Sequence, residues 1–155
     1  GYGSGAFDEE GVRGAARDVV ADGVLRGYFL STYSARKLGM KSTGNAGGAY
    51  NLELRSALTA PGDDFEAMLR KLGTGLLVTE LIGHGVNYVT GDYSRGASGF
   101  WVRNGEIAYP VEEITIAGNL REMFANVVAV GADRLERGGR TTGSLLIEGM
   151  TVGGA

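Results

Sequence analysis

Three stretches of this chain bring together residue types that could do chemistry. Thr79-Glu80-Leu81-Ile82-Gly83-His84 spaces a glutamate and a histidine as an H-E-x-x-x-H zinc motif would, where two histidines hold the metal and the glutamate is the base. Threonine stands where the first histidine belongs, and His84 is the chain's only histidine. The apolar run from Leu76 to about Ile82 reads as a buried strand, which would separate Glu80 from His84 along an extended backbone. His84 therefore reads as a hydrogen-bonded loop histidine. In the second stretch, Gly44-Asn45-Ala46-Gly47-Gly48, backbone N–H groups could form an anion nest. No Gly-Lys-Ser/Thr follows, and the next element reads as a strand, so a tight chain crossing is the competing reading. The third stretch, Asn87-Tyr88-Val89-Thr90-Gly91-Asp92-Tyr93-Ser94, gathers amide, hydroxyl, carboxylate and aromatic groups in a loop. Asn87, Thr90, Asp92, Tyr93 and Ser94 are the candidate peptide- or substrate-binding residues; the alternative is an Asx-turn at a hairpin end, with Tyr93 packed on the core. Gly96-Ala97-Ser98-Gly99 is not a nucleophile elbow, and no catalytic residue or metal ligand is assigned.

Composition narrows the field further. The chain has 155 residues with 15 Lys plus Arg against 18 Asp plus Glu, a net charge of −3 that lacks the basic footprint of phosphate-binding proteins. Direct nucleic-acid contact is therefore not expected. With no cysteine, disulfides, thiolate zinc sites and a cysteine nucleophile are excluded together, in keeping with a cytoplasmic setting. No apolar run approaches the roughly 18 residues of a membrane helix, so no membrane partner is expected. Glycine is the outlier at 28 residues, without a Gly-X-Y period, which suits a strand-rich domain with many tight turns. The chain opens Gly1-Tyr2-Gly3-Ser4-Gly5 without Met, so residues 1–6 read as a flexible or tag-derived start to a piece of a longer protein.

The elements that must position these groups follow from turn and capping signals. Asp22-Gly23 between apolar runs, and Asn104-Gly105 before Glu106 to Tyr109, predict two-residue hairpins. Ser31 or Thr32 starts a helix to Leu38 that Gly39 closes, and a strand is expected near Tyr50 to Leu54. After the Pro61-Gly62 turn, Asp63 is the expected cap of a helix whose stripe is Phe65, Met68, Leu69 and Leu72. Asn119 caps a third helix carrying Leu120, Met123, Phe124, Val127 and Val128. Ile114-Thr115-Ile116 is a separate strand, and Leu145 to Val152 forms one closing strand bent at Gly149. Glu112-Glu113 and Asp63-Asp64 read as solvated turns or caps, and Phe100-Trp101 as core or interface. The class is α+β: a mainly antiparallel, strand-rich domain of seven or eight strands and about three short helices.

Taken in order, the segments resemble the TldD/PmbA family. Those that carry the likeness are Gly23 to Tyr28, Tyr33-Ser34-Ala35-Arg36-Lys37-Leu38-Gly39, Thr43 to Ala46, Gly85 to Trp101 and Asn104 to Leu120. They are most similar to the PmbA branch, also called TldE, over residues 7–155, and identify that stretch as a C-terminal domain. The resemblance implies a bacterial or archaeal metallopeptidase in which TldD and TldE subunits associate. It places the H-E-x-x-x-H zinc motif and a C-terminal cysteine ligand on the TldD subunit. The Thr79 to His84 near-match lies too late in the chain to be that motif, and Thr141-Thr142-Gly143-Ser144 occupies the region of the cysteine. The family likeness thus implies a subunit without its own cofactor, zinc being expected in a TldD-like partner, that helps enclose a peptide or unfolded-protein substrate. It also links the chain to the old label "modulator of DNA gyrase". Two other readings stand beside it: a metallopeptidase active in its own right, with ligands elsewhere in a longer chain, and a peptide-binding module. A domain separated from its other half is expected to self-associate.

Overall fold

Asp22 and Gly23 adopt positive φ, 53° and 73°, as the central residues of a type I′ turn must. They join β1 (Val20–Ala21) to β2 (Val24–Leu25) as an antiparallel hairpin. In the computed structural model, which describes residues 3–154, there follow α1 (Thr32–Lys37), β3 (Leu52–Glu53), α2 (Phe65–Leu72), β4 (Gly75–Ile82), β5 (Asp92–Arg103) and β6 (Glu106–Asn119). Then come α3 (Leu120–Ala125), β7 (Val127–Val130), β8 (Leu135–Arg137), β9 (Arg140–Thr142), β10 (Leu145–Ile147) and β11 (Thr151–Gly153). Three helices and mostly antiparallel strands make the expected α+β, strand-rich class. The chain forms two units, residues 3–53 with 136–141 and residues 54–135 with 142–154.

In the first unit, Ser31 caps α1 by accepting the Ser34 N–H, while the Ser34 hydroxyl accepts the Ser31 N–H at 2.9 Å. Arg36 and Lys37 fall in the last turn, where the helix dipole favours cations. The strand expected over Tyr50 to Leu54 is only two residues long and pairs in parallel with β9. Of the stretch expected to be flexible, residues 1 and 2 lie outside the described residues. Gly3 donates its N–H to Asn51 Oδ1 at 3.2 Å, and Asn51 Nδ2 donates to Ser4 Oγ at 2.8 Å. The glycine-rich loop does hold an anion, and it is the chain's own. The buried Asp8 carboxylate accepts the N–H of Ala46 at 2.9 Å, of Val12 at 2.8 Å and of Glu10 at 3.0 Å. The loop is also a chain crossing: a Cβ on Gly44 would lie 2.6 Å from the Arg13 carbonyl oxygen.

The second unit is built on a four-stranded antiparallel sheet, ordered β11-β6-β5-β4. Asn104 and Gly105, at φ 55° and 79°, turn β5 into β6 as expected. The return strand does not stop at Tyr109 but runs on through Ile114 to Asn119. Two features permit this. Pro110 lies where β6 has no outer neighbour, because β11 pairs only with Thr115 to Ala117. Glu113, at φ 56°, sits in a bulge where the register steps from Ala97↔Ile114 to Gly99↔Val111. Glu112 and Glu113 are thus exposed strand residues, not a turn or cap.

Other expectations shift by a residue or an element. Asp64, not Asp63, caps α2 by accepting the Ala67 N–H at 2.8 Å. Asp63 is buried, accepts from Lys71 Nζ at 2.7 Å and from the Ala60 N–H at 2.9 Å, and is held below the usual aspartate pKa, first by Lys71 and then by Ala60. β4 is an edge strand, so Gly75 to Val78 are half-buried and Thr79 to Ile82 exposed, instead of a buried strand. α3 ends at Ala125, and Val127 and Val128 leave it for β7, where β10 completes an antiparallel ladder. The single closing strand is two: β10 pairs with β7, and β11 with β6, on either side of Gly149 at φ 76°. Buried Met68, Leu69, Val102, Ile116 and Val130 form the core here.

Candidate functional site

The loop between β4 and β5 is folded by its own polar groups. Asn87 Oδ1 accepts the N–H of Val89 at 2.9 Å and of Thr90 at 3.2 Å, an Asx-turn. Thr90 Oγ1 donates to Asp92 Oδ2 at 2.6 Å, and the Asn87 N–H donates to the Asp92 carbonyl at 2.8 Å. Asn119, the cap of α3, donates its Nδ2 to the Thr90 carbonyl at 3.0 Å, so the loop is tied to the start of that helix. At its base the Ser94 N–H donates to the Gly85 carbonyl at 2.7 Å, beside a Val86↔Tyr93 bridge. The five candidates therefore divide. Asn87, Thr90 and Asp92 direct their polar atoms at the loop itself, Ser94 is exposed on β5, and Tyr93 is half-buried. The tip displays Tyr88 and Val89, 88% and 95% exposed.

Gly85 has no room for a side chain, because a Cβ would fall on the Ser94 carbonyl. Gly85→Ala is expected to open the loop base and lower stability by about 2 kcal/mol. Hydrogen exchange checks it: the amides of Asn87 and Ser94 should lose protection while those of β6 keep theirs.

Tyr93 also lines a cleft of about 750 Å³ within the second unit. Leu76, Trp101 and Ile116 line it from the sheet, Met123 from α3, and Met150 from the segment before β11. Lys71, Ser144 and Glu148 add polar groups to the lining. The sequence points to Trp101 as core or interface but to no cleft. The signal for one is the pairing of the apolar residues Leu76 and Trp101, visible only once the register is known.

Zinc is the group that the family likeness brings into question, and the residues here do not fit it. Glu80 is exposed on β4 and His84 is exposed in the loop beyond it. In the 141–144 segment Ser144 donates its hydroxyl to Asp133 Oδ2 at 2.6 Å and its N–H to Oδ1 at 2.9 Å. The Thr142 hydroxyl donates to the Gly143 carbonyl at 2.9 Å, and a Cβ at Gly143 would strike the Gly131 carbonyl. Those donors are engaged within the chain, and none is a sulfur or an imidazole, which zinc prefers. Among the described residues no three His, Asp or Glu side chains converge as a metal site.

The family model of the PmbA/TldA metallopeptidase C-terminal domain matches residues 1–154. The chain belongs to that family. Within it, Metalloprotease PmbA of Escherichia coli O157:H7 is 54% identical over 154 residues, covering 99% of this chain and 33% of that protein. A solved structure from Bacteroides thetaiotaomicron, named as a modulator of DNA gyrase, superposes with a TM-score of 0.85 at 32% identity, over 99% of this chain and 34% of that one. TldE from Thermococcus kodakarensis shares the fold, with a TM-score of 0.81 at 22% identity over 97% of this chain and 36% of its own. The chain spans about a third of the length of the curated PmbA relatives it matches. This PmbA/TldD-family domain has no helix, among the described residues, long and apolar enough to cross a membrane.

Proposed function

We propose that this PmbA/TldE-like domain belongs to a non-catalytic subunit of a TldD/TldE-type metallopeptidase complex that cleaves peptides or unfolded proteins in the cytoplasm. The observation that carries this reading is the 141–144 segment. The region where the likeness places the TldD cysteine is here Thr141-Thr142-Gly143-Ser144, which has no sulfur, and its Ser144 is hydrogen-bonded through its hydroxyl and N–H to Asp133. Zinc and the base that works with it then belong to a TldD-like partner. The role of this domain is to complete the assembly and wall the substrate channel. Asn87, Thr90, Asp92, Tyr93 and Ser94 are the candidate contacts to peptide, with the first three shaping the loop and Tyr93 facing the cleft. Net charge −3 supports protein partners over nucleic acid, so any gyrase connection is indirect.

The test is made on the longer parent protein, purified alone and then with a TldD-like chain. Near-zero zinc per chain when alone, with co-purification of the two chains and peptidase activity only in the pair, is the expected result. About one zinc per parent chain, or activity without a partner, would make it a metallopeptidase in its own right and refute the proposal.

A further inference from the structure

The apolar side chains of the second unit surround a space that they do not fill. Leu76, Tyr93, Trp101, Met123 and Met150 all line its cleft of about 750 Å³, and all five stay half-buried. Among the described residues the largest side chain that is fully buried is a valine, Val102. Protein interiors are close-packed, and an apolar void of this size forfeits the contacts its lining would make. The surface area points the same way. Two separate compact units of these sizes, credited with no burial between them, would expose about 8,900 Å² together. The chain exposes 10817 Å². The surplus of about 1,900 Å² is more than twice what a standard interface removes from one partner.

What covers the cleft must be convex and apolar. A second copy does not fit, because a symmetric dimer would set cleft against cleft, and two concave surfaces do not fill one another. A separate subunit would leave the apolar lining open to water until it docked, and exposed apolar patches are aggregation liabilities. A segment of the same parent chain is present from the start at high effective concentration. The relatives supply the length for it, since this chain spans only about a third of theirs. We propose that the cleft seats an amphipathic segment from the remainder of the longer parent chain. Its apolar side lies on Leu76, Trp101 and Met123, and its polar side meets the exposed Lys71 and Glu148. The second unit is then one part of a core that distant residues of the parent complete.

Methionine oxidation reads the cover directly, because peroxide converts accessible thioethers to sulfoxides. The longer parent protein, purified without a TldD-like chain, is treated with hydrogen peroxide, and sulfoxide at Met68, Met123 and Met150 is followed by mass spectrometry. Met68 is buried and serves as the internal standard for an intact core. Met123 and Met150 are expected to oxidise about tenfold more slowly than in the same protein unfolded in urea, and nearly as slowly as Met68. In the 155-residue chain treated alike, both should oxidise several-fold faster than Met68. Rates in the parent that match those in urea overturn the proposal by showing an open cleft. Equal protection in the 155-residue chain overturns it too, since the cleft would then have closed on itself. Protection that appears only after a TldD-like chain is added, or only where the parent self-associates, assigns the cover to another chain and is equally fatal. The comparison of parent with urea stands even where the 155-residue chain fails to hold its fold. Neither zinc content nor pairing is read here, so this inference and the subunit assignment can fail separately.

Discussion

Gly99→Ala is expected to leave the second unit largely unfolded. Gly99 is buried in β5 and faces β4 at the point where the register shifts between Val78 and Glu80. That bulge draws the β4 backbone over it. A Cβ there would collide with the Leu77 carbonyl oxygen and stand 2.9 Å from the carbonyl carbon and 3.1 Å from Val78 Cα. These are backbone atoms in a hydrogen-bonded ladder, and they cannot withdraw without parting β4 from β5. The expected loss is about 4 kcal/mol or more, a large part of a typical domain's stability. Gly62→Ala is the control, because a Cβ there meets nothing within 4 Å and its φ is unremarkable. It should change stability by no more than about 0.5 kcal/mol. Urea unfolding followed by far-UV circular dichroism and Trp101 emission separates the two, and a similar midpoint for both variants would refute the packing account.

The second large effect is acid sensitivity through Asp8. Burial works to raise the pKa of this carboxyl, but the N–H groups of Ala46, Val12 and Glu10 outweigh it and hold the value below the ordinary 3.8. A group whose folded pKa is depressed adds stability above its unfolded pKa and loses it as pH falls through the folded one. The Asp8 contribution is therefore complete at neutral pH and fades below pH 3.8. Asp63, also depressed, acts with the same sign. Asp8→Asn removes the charge and one of the two acceptor oxygens that join the N-terminal turn to the glycine-rich loop. At neutral pH its melting temperature should fall by about 5–10 °C. Below pH 3.8 the gap to the parent should narrow, because the parent then loses what the variant never had. Calorimetry across that range decides it; a gap that stays constant or widens on acidification contradicts the assignment.

Features written in consecutive residues are legible in the amino-acid order itself. The two type I′ turns at Asp22-Gly23 and Asn104-Gly105 are among them, as are the Ser31 and Asn119 caps and the α2 stripe closed by Gly73. Each depends on contacts within a few residues, so local chemistry decides it. Expectation and structure part where two local signals compete. Asp63 and Asp64 are equally good caps by type. Asp64 prevails because Asp63 reaches Lys71 at the far end of the helix and takes the Ala60 N–H before it. Val127 and Val128 continue the apolar spacing of α3, but β-branched residues accept a strand readily once β10 supplies the partner.

The candidate site divides in the same way. The Asn87 to Ser94 loop is visible as a concentration of polar groups, and its Asx-turn follows from side-chain reach of two or three residues. The family, too, is carried by residue order alone, which is why segments such as Gly85 to Trp101 suffice to recognise it. Tertiary structure alone decides that the glycine-rich loop holds Asp8, 38 residues away, instead of an external anion. It alone assembles a cleft walled by Leu76, Trp101, Met123 and Met150. A periodicity states which residues share a face; what covers that face depends on strand register and on bulges such as those at Val78 and Glu113. Those are set by packing between segments far apart in the chain, and no window of the sequence contains both sides of that contact.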